Sequence, residues 1–130
     1  MNILHIISGD LWAGAEVQAF SLIRACRGSD LMKLQVITFN NGILSENLRE
    51  EGIPVSVLDE HMRSMYSLIE GCVRVIRTSQ SDIVHSHGFK ENFVGGIAAR
   101  LVRHVTTIRT HHGKGMVGAG LKYNLIERIN

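Results

Sequence analysis

Apolar positions along the chain follow two rhythms, and the places where one gives way to the other divide it into strands and helices. Asn2 to Ile7 is a mostly aliphatic run, and Leu34 to Phe39 is a second, ended by Asn40-Asn41-Gly42. Val55, Val57 and Leu58 make a third behind Pro54, short enough for a sheet edge. Asp82 to Gly88 and Val105 to Arg109 supply a fourth and a fifth. Between them the spacing becomes helical: Ala19, Phe20, Ile23 and Cys26; then Leu44 and Leu48 within Ile43 to Glu51, with Gly52 as the stop. Met65, Leu68, Ile69, Cys72, Val73 and Ile76 form the clearest stripe, and Val94, Ile97, Ala98, Leu101 and Val102 another, which Gly95 and Gly96 weaken while permitting close packing. A last helical pattern runs from Leu121 to Ile129, so the chain is expected to stop inside a helix.

Strands alternating with helices through short loops imply an α/β fold: a Rossmann-like parallel sheet of about five strands, covered by helices on both faces. Right-handed crossovers favour the order 3-2-1-4-5, with a crevice between strands one and four. Three polar segments then meet at the carboxyl edge of the sheet: the loop around Gly14, His85 to Gly88, and Thr110 to Gly113.

The first of these, Ser8 to Glu16, joins a strand to a helix, and the unpaired N–H groups of that helix make it an anion site. Gly14 lets a phosphate approach backbone where a Cβ would obstruct it. Gly9 and Gly14 have the spacing of a triphosphate loop, but Ala15 and Glu16 stand where Lys and Ser or Thr should follow. The dinucleotide pattern fails as well, because position 11 is Leu. A first-turn Glu16 also favours the helix dipole.

At 130 residues, 45% hydrophobic and 20% charged, the chain is one globular domain with no sign of disorder. A net charge of +2 without a basic run excludes a nucleic-acid groove. Cys26 and Cys72 fall on apolar helix faces and read as buried, reduced thiols, which fits a cytoplasmic chain. No leader or membrane span is legible.

Four of the seven histidines sit at the ends of strands four and five. His5 reads as a hydrogen-bonded core residue, and His61 and His104 as surface ones. His85 and His87 share a strand face, and His111 or His112 approaches from the next strand end. His85 is expected deep under helices, and His87 at the sheet edge, reaching the cleft. H-x-H without acidic or thiol partners is a weak metal signature, and no metal is expected. Neither Ser8 nor Ser86 sits in a nucleophile elbow. Backbone donors, imidazoles, Arg109 and Lys90 suit a phosphorylated or hydroxyl-rich ligand.

Trp12-Ala13-Gly14-Ala15-Glu16, Asp82-Ile83-Val84-His85-Ser86-His87 and Thr110-His111-His112-Gly113 occur in the order, and with much of the content, of three motifs of the family 4 glycosyltransferases: G-G-x-E, D-x-x-H-x-H and T-x-H-G. With Gly52-Ile53-Pro54-Val55 after the second helix, the chain resembles their N-terminal domain over nearly its full length, with Ala13 in place of a glycine. The resemblance implies the N-terminal lobe of the two-lobed GT-B architecture, the C-terminal lobe being absent and residues 1–130 ending before the first lobe is complete. It implies transfer of a sugar, with retention, from a nucleotide-sugar donor to a sugar or lipid-linked acceptor, as in carbohydrate or cell-envelope polysaccharide biosynthesis. This piece alone is then expected to be inactive. Gly14 and Ala13 would meet the donor phosphate, His87 would be catalytic beside the transferred sugar, and His112, His111, Arg109, Glu16 and Lys90 would line the acceptor or sugar. No cofactor or metal is implied, and the expected place is the cytoplasm, with peripheral contact to the inner membrane face left open. A stand-alone phosphate or nucleotide-binding module is the alternative, and a His-ligated metal hydrolase a third reading.

Overall fold

The computed structural model describes residues 1–112. The expected helix at 121–129 and the Gly113 that closes the third motif lie outside the described residues. Five strands and four helices alternate: β1 Asn2–Ile7, α1 Gly14–Cys26, β2 Lys33–Thr38, α2 Ile43–Glu50, β3 Val55–Val57, α3 Met65–Thr78, β4 Ile83–His87, α4 Phe89–Val102 and β5 Thr106–Thr110. The sheet is parallel throughout, in the order β3-β2-β1-β4-β5, as its chain pattern predicts.

Alternation along each strand sorts the core into two layers. Leu4, Ile6, Ile37, Phe39 and Val84 pack on one face against Leu68, Cys72 and Ile76 of α3 and Val94, Ala98 and Ala99 of α4. Ile7 and Val36 pack on the other against Ala19 and Ile23 of α1 and Leu44 and Leu48 of α2. Each fully buried Leu, Ile or Phe contributes about 1.5–3 kcal/mol over its exposed state, so these two layers outweigh any single polar contact. Helix α3 also has a side-chain cap, since Ser64 accepts a hydrogen bond from the Ser67 N–H at 3.2 Å. In α4, Gly95 brings the helix down onto the sheet: a Cβ there would lie 2.5 Å from Ser86 Oγ and 2.9 Å from Ile6 Cδ1.

Helices pack on both faces as expected, and two finer expectations are corrected. His85 is not deep under helices but half-buried, because α1 and α2 pack over β1 and β2 and, among the described residues, no helix covers β4 and β5 on that face, where Ile108 is 44% exposed. Cys26 is only half-buried, since it lies on the last turn of α1 where the helix leaves the sheet; Cys72 is fully buried, and both are free thiols.

Candidate functional site

Helix α1 begins without a side-chain cap: Ala13 is extended, with φ −129° and ψ −171°, and the first helical bond closes only at Val17 N–H to Ala13 O. The preceding N–H groups stay directed out of the helix end, with the positive end of its dipole behind them. A Cβ placed on Gly14 would meet nothing within 4 Å, so this helix end faces open space. Beside it lies a cavity of about 390 Å³ lined by Gly14, Ala15, Gln18, Thr110, His111 and His112. Another cleft, at the amino edge among Asn2, Lys33, Pro54 and Gln80, lies at the far end of the strands from this helix end and carries none of the three motifs.

Behind the cavity wall stands a row of imidazoles. Register pairs His5 with His85 across β1 and β4, and places His87 beside Ile7 on the same face. His5 Nδ1 and His87 Nε2 share a hydrogen bond of 3.1 Å, and the His85 and His87 rings lie 4.1 Å apart. His85 Nε2 bonds to Thr110 Oγ1 at 2.8 Å. His112 stacks on His87 at 5.8 Å and bonds through Nδ1 to Gln18 Oε1 at 3.0 Å, joining the end of β5 to α1. Burial, then the neighbouring His85, holds His5 down at about 4; burial, then His85, His5 and His112, holds His87 at about 3. His85 is lowered too, by burial and then by His112. His5, His85 and His87 are thus held uncharged near neutrality. Among the described residues, His87 Nδ1 and His112 Nε2 are buried without a hydrogen-bond partner.

The order of depth within the H-x-H pair is the reverse of the expectation. His87, 4% exposed, is the buried member, covered by His112 and bonded to His5, while His85 is open on the side where no described helix packs. Gly14, His111 and His112 line the cavity as expected, and exposed Ala13 caps the helix beside it. Gln18 was not anticipated, although it lies one helical turn beyond Gly14 and its position was readable from that spacing.

Arg109 does not face the cavity, since alternation along β5 puts it on the face opposite Thr110. Lys90 pairs with Glu60, which also accepts from Asn40 Nδ2 at 2.7 Å; Asn40 in turn reaches Ser8 O at 3.2 Å. That network ties the ends of β1, β2, β3 and β4 together away from the cavity. Glu16 is buried in the first turn of α1, where it and Asp10 act on Glu91. The Glu91 carboxyl is raised from its ordinary range chiefly by burial, against lowering by its own backbone N–H and Lys90. Its side chain fills the place of a Cβ on Gly88, whose φ of +120° favours glycine.

A parallel α/β sheet with an uncapped helix end, polar strand ends and a cavity at its switch point is an architecture chemically suited to phosphorylated ligands. The chain belongs to Glycosyltransferase Family 4, whose sequence profile matches residues 12–128. No curated protein sequence matches it significantly. Among solved structures it is similar to MurG of Acinetobacter baumannii, with a TM-score of 0.71 at 15% identity, covering 98% of this chain and 39% of that one. HepE of Anabaena in complex with UDP and glucose is similar with a TM-score of 0.65 at 23% identity, covering 84% of this chain and 29% of that one. A UDP-N-acetylglucosamine 2-epimerase has a TM-score of 0.71 at 12% identity, covering 99% of this chain and 38% of that one. The chain therefore spans between 29% and 39% of the length of these structures. They share its fold, that of the GT-B N-terminal lobe. Among the described residues no helix is long and apolar enough to cross a membrane.

Proposed function

We propose that this chain is the acceptor-side lobe of a glycosyltransferase that moves a sugar from a nucleotide-sugar donor to a sugar or lipid-linked acceptor with retention at the anomeric carbon. The observation that carries this reading is the uncapped end of α1 at Gly14, open to solvent and sharing one cavity with His111 and His112. Backbone N–H groups of Gly14 and Ala15 would receive the donor diphosphate, adding partial positive charge as the bond to the sugar breaks. The complex of the similar HepE with UDP and glucose supports a nucleotide-sugar donor.

His112 and His111 form the wall where sugar hydroxyls would be held, with Gln18 and Thr110 beside them. His87 is assigned the donor role at the leaving phosphate or the sugar, and with Nε2 engaged by His5 the nitrogen left for a ligand is Nδ1. In this reading the transfer needs no metal, because protein donors would stabilise the leaving diphosphate.

The experiment is Gly14→Val in the two-lobed enzyme. The open space at Gly14 leaves the fold standing, while the branched side chain covers the amides. The expected result is a raised KM for the nucleotide sugar with an unchanged melting temperature. Unaltered donor use in a folded variant would reduce the turn to a structural one, and favour the stand-alone module only if phosphate still bound there.

A further inference from the structure

His5 is the buried, hydrogen-bonded residue of β1 that the sequence predicts, and the sheet register also sets it against His85 and within hydrogen-bond reach of His87. One ring nitrogen from each of His5, His85 and His87 lies within 4.8 Å of the other two. We propose that these three imidazoles form a binding site for a single zinc-type transition-metal ion, a site that shares His87 with the transfer reading but does not rest on it.

The geometry is close to what such an ion requires. Nitrogens at 2.0–2.1 Å from a tetrahedral zinc stand about 3.4 Å from one another. The His5–His87 pair, at 3.1 Å, is already near that spacing. The third ring must close in by at most about 1.4 Å to reach it. His85 can do so: it is the half-buried member, and its Nε2 bonds to the Thr110 hydroxyl, leaving Nδ1 for an ion. That bond also supplies the outer partner that orients a metal-bound imidazole.

The backbone positions come from two paired strands rather than loops, so little ordering is needed to assemble the set. With three imidazoles and no carboxylate in the cluster, the donor set selects zinc, cobalt, nickel or copper over magnesium or calcium.

The test reads binding and not turnover. The purified chain is titrated with Co²⁺, following the visible bands of a low-coordinate ion, and the bound Co²⁺ is then displaced with Zn²⁺ against a chromophoric chelator. One ion per chain is expected, with affinity falling at least tenfold in His85→Gln. Circular dichroism establishes that the variant is folded. No binding by the wild-type chain, or undiminished binding by folded His85→Gln, would overturn the site. Should the variant not fold, zinc-edge X-ray absorption on the wild-type protein counts the imidazoles: three uphold the site, and fewer overturn it. Binding lost only on replacing the exposed His61, His104 and His111 would also overturn it, as capture by surface histidines.

Discussion

His87 illustrates how a single side chain can carry both stability and chemistry. Its Nε2 satisfies His5 Nδ1 in a buried setting, so His87→Ala leaves a buried partner unpaired at a cost of about 1–3 kcal/mol. In the two-lobed enzyme the same change is expected to lower turnover by ~10²-fold or more if the ring donates to the leaving group. His85→Ala removes a half-exposed ring and its bond to Thr110, for about 0.5–1.5 kcal/mol with turnover within a few-fold. Near-normal turnover in folded His87→Ala would remove the assignment, and a large rate loss in stable His85→Ala would transfer it.

The same burial makes stability depend on pH. His5 and His87 titrate at about 4 and about 3 in the folded chain against 6.5 when unfolded. Between those values the unfolded chain binds more protons, so the stabilising contribution is complete above pH 6.5 and is lost as pH falls toward 4 and 3. Each imidazole accounts for a slope of roughly 1.4 kcal/mol per pH unit within its window. Glu91, raised by burial, acts in the opposite sense and favours the folded chain as pH falls toward its unfolded value of 4.5. Urea midpoints should drop from about pH 7.5 to about pH 5, and the drop should be shallower in His5→Gln. A flat profile would contradict the buried, neutral row.

At the level of elements, two glycines have opposite consequences. Gly95 lies where α4 touches β1 and β4, and a side chain would meet Ser86 Oγ and Ile6 Cδ1. Gly95→Val is therefore expected to cost about 1–3 kcal/mol by forcing the helix off the sheet, measurable by chemical denaturation. Gly14, at the free end of α1, has nothing within 4 Å of a Cβ, so Gly14→Ala should leave the unfolding midpoint unchanged or slightly raised. Both are helical glycines, and their surroundings distinguish them. An equal effect of the two substitutions would mean that α4 does not sit as close to the sheet as Gly95 allows.

At the scale of the whole molecule, the half of the sheet that the described residues leave uncovered, at β4 and β5, is the salient liability. Among the described residues β5 pairs only with β4, its Thr106, Thr107 and Ile108 are exposed, and no described helix covers β4 and β5 on the face that carries His85. An unpaired edge beside an apolar residue invites pairing with a second chain. The 130-residue chain should thus self-associate as concentration rises, and Ile108→Lys should reduce the effect by placing a charge on that strand. Light scattering over a concentration series reads both, and a wild-type chain that stays monomeric would disprove the expectation.

The order of strands and the edges of most elements were determined by the sequence alone, because the change from two-residue to helical periodicity is local and glycines and Pro54 mark its limits. The meeting of Gly14, His111 and His112 at one cavity followed from the same pattern, since parallel topology brings the carboxyl ends of β1, β4 and β5 together. Depth did not follow. Which of His85 and His87 is buried depends on where α1 and α2 settle across the sheet, and chain spacing carries no record of that. Arg109 and Lys90 looked suited to a ligand by charge, but the facing of β5 turns one away and Glu60 holds the other. The pairing of His5 with His87 spans β1 and β4, with α1, α2 and α3 intervening in the chain, so only the folded sheet could bring those two imidazoles into contact.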